Sequence, residues 1–310
     1  MNRSRIDVLG LGCTAVDEIL YVPHYPPADG KVEVRVRERH CGGLAATALV
    51  AAARLGVRAA FAGTLGFDEG SQFVLETLQR EGVDTRHCVR RKNAGPVRST
   101  IVVDERRGTR NIFYNTDQVA GADSHAPAAA VIQAARVLLV DRFGIPGMIR
   151  AARLARARKI PIVADFESSH LPRFRELLSV VDHLIISAEF ARHVTGIQTP
   201  KAAAEALWTP GRAVVVVTAG ARGCWYLDDA HTRAAHFPAF PVTAVDTTGC
   251  GDVFHGAYAA ALARGAKLPE RLAWASATAA LKATRRGGQD GIPERRMVER
   301  FLKRAATKRS

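Results

Sequence analysis

The residues best suited to carry chemistry form one short segment, Asp-Thr-Thr-Gly-Cys-Gly-Asp at residues 246–252. Small apolar residues follow, with Gly265 as a stop, so a helix is predicted to begin near Cys250. Gly249 and Gly251 would let the backbone turn tightly with its N–H groups facing outward, and the helix N-terminus adds partial positive charge. The segment therefore predicts a site that binds an anion.

Asp252 stands beside this predicted site, where a carboxylate is a poor choice for holding an anion. Its placement indicates a second role, which is to accept a proton from a nucleophile that attacks the bound anion. A base next to anion-stabilising amides is typical of phosphoryl transfer. A capped helix whose aspartate merely suits the helix dipole would show the same short motif without any chemistry.

The segment resembles the second signature of the PfkB (ribokinase-like) carbohydrate kinases, Asp-Thr-x-Gly-Ala-Gly-Asp, with Cys250 at the usual alanine. Further segments resemble motifs of that family in the same order, at Gly42-Gly43, residues 63–70 and residues 217–223. Four matches in register are far more specific than one. The resemblance implies a single kinase domain over residues 1–310, with a three-layer α/β/α fold, a mostly parallel central sheet and a small β-sheet lid.

The resemblance also implies roles for the matching residues in an ATP-dependent sugar kinase. Asp252 would be the general base, and the amides of Gly249, Cys250 and Gly251 would stabilise the transferring phosphoryl group. Sugar-binding roles fall on Asp17, Gly42, Gly43 and Thr47, the last of which stands where the family has asparagine. ATP-binding roles fall on Thr218, Gly220, Gly223, Gly249 and Gly251.

The expected metal is Mg²⁺, but the family's Asn-x-x-Glu motif falls on Ser187-Ala188-Glu189-Phe190. Phe190 cannot coordinate a metal, and on a helix Glu189 points about 100° away from the position of the motif glutamate. Mg²⁺ would then be held mainly by phosphates and water, with Glu189 a poor substitute. The resemblance further places a monovalent cation, K⁺, at Asp246 and the carbonyls of residues 284–288.

Three stretches resemble the sulfofructose-kinase branch of the family, whose substrate is an anionic ketohexose: residues 45–48, residues 255–256 and residues 280–285. Lys31 matches a lysine of that branch and would meet a sulfonate or phosphate as a point charge. Arg142 is a further candidate substrate-binding residue, although it sits one position before the branch's arginine. The predicted acceptor is a primary hydroxyl of a ketohexose or related furanose, either anionic or, as in ribokinases and fructokinases, neutral.

The elements that must position these residues alternate in type. Residues 6–12 predict a buried first strand that ends in Gly-x-Gly, but the strand-like stretch that follows rules out a Rossmann turn, which opens a helix. Short apolar strands separated by helices indicate a parallel sheet, at residues 137–140, 160–164, 183–187 and 213–217. Asp141 and Asp165 stand at strand ends, where ligands bind or where an aspartate caps a helix.

The lid is predicted from about residues 14–40 and 96–117. Residues 31–37 alternate charged and apolar side chains, which predicts a strand with one wet face. Further strands are predicted at residues 99–104 and 110–114. By resemblance the lid would cover the sugar and also form the contact of a homodimer. Ordinary strands of the main sheet are the alternative.

The composition of the chain argues against nucleic-acid and membrane partners. The 310 residues carry a formal charge of +14, but the arginines are spread over many helices without interleaved aromatic residues, so no nucleic-acid partner is expected. No stretch approaches the ~18 apolar residues of a membrane span, which predicts no membrane partner and a cytoplasmic protein. The five cysteines lack metal or disulfide spacing, which indicates reduced thiols.

A second class of function is a sugar- or nucleotide-binding regulator that has lost catalysis on the same fold. The missing motif glutamate at Phe190 favours the regulator. Retention of Asp252 together with Gly249 and Gly251 favours the enzyme.

Overall fold

The computed structural model describes residues 6–307. The strands in that range, in chain order, are β1 (Ile6–Leu11), β2 (Ala15–Val22), β3 (Val36–Gly42), β4 (Ala59–Phe61), β5 (Thr64–Leu65), β6 (Val89–Arg90), β7 (Val97–Asp104), β8 (Thr109–Asn115), β9 (Ala135–Val140), β10 (Ile162–Asp165), β11 (His183–Ser187), β12 (Val214–Thr218), β13 (Cys224–Asp228) and β14 (Ala235–Phe237). The α-helices are α1 (Leu44–Arg54), α2 (Glu69–Arg80), α3 (Ala129–Gln133), α4 (Ile145–Arg156), α5 (Phe174–Val180), α6 (Ala188–Thr195), α7 (Pro200–Leu207), α8 (Cys250–Ala263), α9 (Leu268–Ala283) and α10 (Arg295–Thr307).

The main sheet has the strand order β14-β13-β12-β11-β10-β9-β1-β4. The six strands from β12 to β4 pair in parallel, and β13 and β14 add two antiparallel strands at one edge. The mostly parallel sheet predicted from the alternation of strands and helices is confirmed. Because parallel strands carry their carboxyl ends to one edge, residues that follow β1, β9, β10, β11 and β12 share that edge.

Helices cover both faces of the main sheet, which gives the predicted three layers. Successive strand residues alternate between two cores, so that Val8 packs with α1, α8 and α9 while Leu9 packs with α4, α6 and α7. Short runs of valine, isoleucine and leucine suit strands that are buried on both faces. The sheet is therefore held rigidly between the two helical layers.

The contact between α1 and α8 is very close. Gly256 on α8 has no side chain, and a methyl group there would collide with the main-chain oxygen of Ala48 on α1. Glycine is required at Gly256 by space rather than by backbone conformation. The two helices whose N-termini face the ligand edge therefore lie directly side by side.

A smaller four-stranded sheet has the order β3-β2-β7-β8. It uses the chain segments predicted for the lid, but the strand predicted at residues 31–37 is wrong, because the strand begins at Val36. Pairing explains the shift, since β3 runs antiparallel to β2 from Tyr21 opposite Val36 to Ala15 opposite Gly42. Residues 31–35 form an exposed loop that has no partner strand in the described chain.

None of the helices in residues 6–307 combines the length and apolar character needed to cross a bilayer.

Candidate active site

The first turn of α8 carries the predicted base and anion site. Gly249 precedes the helix with φ 74°, a left-handed conformation that favours glycine. The first hydrogen bond of the helix runs from Val253 N to Gly249 O at 2.9 Å, so the amides of Gly251 and Asp252 lie before its ladder and face outward. The amide of Cys250 differs from the expectation, because it donates to Thr247 O at 3.2 Å.

Asp252 lies in the first turn of α8. Burial raises the pKa of Asp252 well above its ordinary range, and the charges of Asp165 and Glu167 raise that pKa further. A raised pKa makes the carboxylate a stronger proton acceptor, as a general base requires. Asp17 on the lid also raises the pKa of Asp252, so the lid carboxylate and the base face the same space.

Two strand-end aspartates line the edge beneath the base. Asp141 accepts hydrogen bonds from Cys13 N and Phe143 N, both at 2.8 Å, and its burial raises its pKa to about 7. Asp165 ends β10, and burial and the charge of Glu167 raise its pKa. Both were expected either to meet ligands or to cap helices, and Asp141 caps the loop after β9 while lying beside the base.

His255 lies one turn along α8 from the base and is buried. Its Nδ1 is 2.8 Å from Gly251 O, and its Nε2 is 2.9 Å from Ile185 O. Asp165 Oδ2 lies 3.2 Å from Nδ1 without hydrogen-bond geometry. The ring therefore links the first turn of α8 to the middle of β11 and lies against Asp165 at the end of β10. The sequence indicates His255 only as part of the resemblance to the sulfofructose-kinase branch, and predicts no contact for its side chain.

The residues predicted to hold sugar meet where the lid joins α1. Burial raises the pKa of Asp17, while a hydrogen bond from Ser99 and the charge of His40 lower it. A methyl group on Gly42 would collide with Asp17 Oδ2, so the missing side chain makes room for that carboxylate. Gly43, with φ 94°, turns the chain into α1.

Thr47 connects the sugar side to the phosphate side. It is buried on α1, and a methyl group on Gly249 would lie 3.4 Å from Thr47 Cγ2 and 3.8 Å from Asp252 Oδ2. The amide of Gln289 approaches Thr47 Oγ1 at 3.4 Å. Thr47 thus packs beneath the anion-binding turn, where asparagine had been expected.

The two basic residues predicted to meet substrate are placed differently. Lys31 lies in the exposed loop between β2 and β3 and makes no hydrogen bond or ion pair with the rest of residues 6–307. Arg142 follows β9 and is half-buried, with its guanidinium 4.2 Å from the centre of the Phe143 ring. Its Nε is buried without a hydrogen-bond partner in that part of the chain. Only Arg142 is thus held at the ligand edge by observed contacts.

The residues predicted to bind ATP lie at the end of β12. Thr218 pairs with Ser187 of β11 and donates from Oγ1 to Ile186 O at 3.3 Å. Gly220 opens a single turn of 3₁₀-helix that Gly223 closes with φ 82°. Along the ligand edge, the residues predicted to bind sugar thus lie near β1 and β9, and those predicted to bind the nucleotide lie near β11 and β12.

The site for Mg²⁺ departs from the family pattern as the sequence indicated. Phe190 is buried, with its ring 6.0 Å from that of Phe174, and Glu189 is exposed. Within residues 6–307 no group of three or more His, Cys, Asp or Glu could hold a metal by itself. Glu167, which follows β10, is an exposed carboxylate close enough to raise the pKa of Asp252. Oxygen donors of this kind suit Mg²⁺ held largely by phosphates and water.

Asp246 fixes the loop that leads into α8. Its Oδ1 accepts from Thr248 N at 2.8 Å, and its Oδ2 accepts from Gly287 N at 3.0 Å. Burial raises the pKa of Asp246, but these hydrogen bonds and the charge of Lys282 outweigh it, so the pKa is lowered. Asp246 therefore joins residues 246–249 to residues 284–288 through its own hydrogen bonds, and the K⁺ site expected at this position stays a prediction.

The whole arrangement matches a known family. The profile of the pfkB family carbohydrate kinases matches residues 5–295. The chain belongs to this family. It is an ATP-dependent carbohydrate kinase.

Individual members of the PfkB family are similar to this chain over most of its length. The ribokinase of Haemophilus influenzae is 26% identical over 309 residues, which cover 95% of this chain and 98% of that protein. Fructokinase-1 of Oryza sativa subsp. japonica is 28% identical over 291 residues, covering 85% and 88%. The crystal structure of ribokinase from Thermotoga maritima has a TM-score of 0.83 at 25% identity, covering 96% and 99%. Resemblance to the sulfofructose-kinase branch stays a prediction.

Proposed function

We propose that this PfkB kinase transfers the γ-phosphoryl group of ATP to a primary hydroxyl of a furanose sugar. The observation that supports the proposal is that Asp17, on the lid, lies close enough to Asp252 for its charge to help raise the pKa of that buried carboxyl. Gly251 and Asp252 supply outward-facing amides at the same point. A base, a sugar anchor and an anion site are together what phosphoryl transfer to an alcohol requires.

The residues act in a defined order. Asp17 accepts hydrogen bonds from sugar hydroxyls and orients the reactive hydroxyl towards Asp252. As the hydroxyl oxygen bonds to the γ-phosphorus, its proton passes to Asp252, and the bond from that phosphorus to the bridging oxygen breaks to release ADP. The amides at the start of α8 stabilise charge on the transferring group. Mg²⁺, when bound with ATP, neutralises phosphate charge, and Glu167 with Asp165 would hold it, in part through water.

The sugar itself is proposed to be a neutral furanose, as the names of the ribokinase and fructokinase relatives suggest. An anionic ketohexose is a second candidate, because the half-buried guanidinium of Arg142 is held just after β9, at the ligand edge, by its contact with Phe143. The exposed part of a guanidinium in that position would bind a phosphate or sulfonate group through charge-assisted hydrogen bonds. Lys31 makes no contact that adds to this argument.

We also propose a homodimer formed through the lid. Cross-strand pairing places Phe113 on the same face as Thr100 and Glu18, which is the face opposite Asp17. Phe113 is 53% exposed and Val34 is 42% exposed, so the outer face of the lid carries apolar side chains that a second copy would cover. The unpaired thiols of all five cysteines support a reducing, cytoplasmic location.

The deciding experiment measures ADP production with ATP and Mg²⁺ over a panel of ribose, fructose and their phosphorylated or sulfonated derivatives. Asp252→Asn should lower kcat about 10²–10⁴-fold because the base is lost. Asp17→Asn should instead act mainly on KM, because it weakens a sugar contact. Asp229→Asn, at an exposed position, is the matched control.

Outcomes of this panel separate the alternatives. Turnover of neutral sugars that exceeds that of their anionic derivatives supports the ribokinase-like or fructokinase-like assignment. The reverse order, abolished by Arg142→Met, supports the anionic substrate. If the wild type releases no sugar-dependent ADP under any condition, the chain is a binding regulator and the proposed function is wrong.

A further inference from the structure

Lys282 is the most unusual buried residue in the described chain. It lies near the end of α9, and its side chain has 0% exposure. Lysine is almost never fully buried unless its charge is paired, because removing an ammonium group from water is costly. The residue takes no part in the chemistry proposed above, so its burial calls for a separate explanation.

The ammonium group of Lys282 is held by Asp246. Nζ donates to the main-chain oxygen of Asp246 at 3.0 Å and lies 3.9 Å from its Oδ2. The same carboxylate accepts from Thr248 N and Gly287 N, and Ala283 O accepts from Val245 N at 2.7 Å. Lys282 thus sits between the loop that leads into α8 and the loop that follows α9.

The charges around Lys282 are mixed. Burial lowers the pKa of Lys282, and the charge of Arg110 on the lid lowers it further, while Cys250, Asp246 and Asp252 oppose that change. A carbonyl oxygen and a carboxylate oxygen at one point form the kind of oxygen environment that takes a hard cation. In this chain the ammonium group of Lys282 already lies beside these two oxygens of Asp246.

We infer that Lys282 is a tethered cation, whose ammonium group supplies at Asp246 the positive charge that a bound monovalent ion would otherwise supply. The expectation of a K⁺ site at Asp246 does not fit the structure, because Lys282 Nζ occupies the space beside its oxygens. The inference rests on the proposed function, since the loop that Lys282 holds ends at Gly249 and the anion-binding turn. Lys282 is therefore a positioning residue, which acts through Asp246 and Thr248.

Two consequences can be measured. The wild type should turn over at the same rate, within about twofold, when K⁺ is replaced by Na⁺ or by choline at equal ionic strength. Lys282→Met keeps an apolar side chain that ends one atom short of Nζ, and so leaves a space the size of the lost ammonium group. Its kcat in choline should fall about tenfold or more, because the anion-binding turn loses its support.

Chemical rescue distinguishes a tethered cation from a merely structural lysine. K⁺ or NH₄⁺, which resemble the ammonium group in size and charge, should restore kcat of Lys282→Met, whereas choline should not. The thermal midpoint of this variant should rise with K⁺ while that of the wild type stays constant, a readout that does not depend on activity. Lys267→Met, at an exposed position where α9 begins, is the control and should show neither effect.

Several results would overturn the inference. One is a wild-type enzyme that needs K⁺ for turnover, and this test stands even if Lys282→Met fails to fold. Others are a Lys282→Met variant with wild-type kcat in choline, or one whose loss neither K⁺ nor NH₄⁺ repairs. Failure of the proposed function looks different, because then no sugar-dependent ADP appears with any cation, while the thermal midpoints still report on the cation site.

Discussion

The main sheet and the lid hold the two key carboxylates in contrasting surroundings. Strand β9 of the main sheet is buried at five of its six positions, whereas every residue of β8 on the lid is exposed. Asp252 rests on the packed scaffold, while Asp17 rests on a sheet whose edge strand β8 is open to solvent on both faces. Elements with few buried contacts change position at low cost. We therefore expect the packed main sheet to hold Asp252 firmly, and the lid that carries the proposed sugar contact at Asp17 to shift more readily.

The fall of kcat/KM at acid pH tests the environment of Asp252 on the main sheet, and it should be the largest effect. Because burial and neighbouring carboxylates raise the pKa of Asp252, the base is protonated at pH values where an ordinary aspartate, with a pKa of ~3.9, is still ionised. For a neutral sugar, kcat/KM should be full above this raised pKa and fall about tenfold per pH unit below it. An acid limb at the ordinary aspartate value would contradict the assignment.

Substituting the two exposed glutamates considered for Mg²⁺, Glu167 and Glu189, should show a smaller effect. Glu167→Gln removes a charge that faces the base, so it should raise the Mg²⁺ concentration needed for half-maximal rate by about tenfold. It should also move the acid limb of kcat/KM to lower pH, because the charge of Glu167 raises the pKa of Asp252. Glu189→Ala should change either quantity by less than about twofold. Equal losses in the two variants would show that Glu189 reaches the metal after all.

The smallest effect on turnover is expected from the outer face of the lid. Phe113→Asp would place a charge in the proposed dimer contact and should convert a dimer into a monomer in sedimentation velocity. Turnover at saturating sugar should stay within about twofold, since Phe113 lies on the face away from Asp17. Tyr114→Asp, on the opposite face of the same strand, should leave the assembly intact. A monomeric wild type would remove the basis of the dimer proposal.

Much of the scaffold could be predicted because its signals are local. Buried parallel strands are short apolar runs, and the start of α8 at Cys250 follows from Gly249 before it and the small apolar residues after it. The start of β3 could not be predicted from local sequence, because it depends on where β3 pairs with β2. Residues 31–35 alternate charged and apolar side chains as a strand would, yet they have no partner strand in the described chain.

The contacts of two buried residues could not be predicted from the sequence, for a different reason. Lys282 and His255 are ionisable side chains on buried helix faces, where sequence patterns predict apolar residues. A signal was present for Lys282, since it follows the buried Ala275 and Thr278 at helical spacing. The amide of Cys250 was assigned to the anion site, but whether it is free depends on the conformation of Thr247, which sequence does not specify.

The close contact between α1 and α8 fixes the distance between the N-terminal ends of these two helices. Gly43 opens α1 beside the sugar anchor and Gly249 precedes the base on α8, and the approach of Gly256 to Ala48 keeps the two helices from sliding apart. Main-chain packing thereby sets the distance between the turn at Gly43, which is proposed to contact the sugar, and the first turn of α8, which carries the proposed base. We expect the enzyme to discriminate among sugars by that separation, so that a chain extended by one carbon is bound but presents the wrong oxygen to phosphorus.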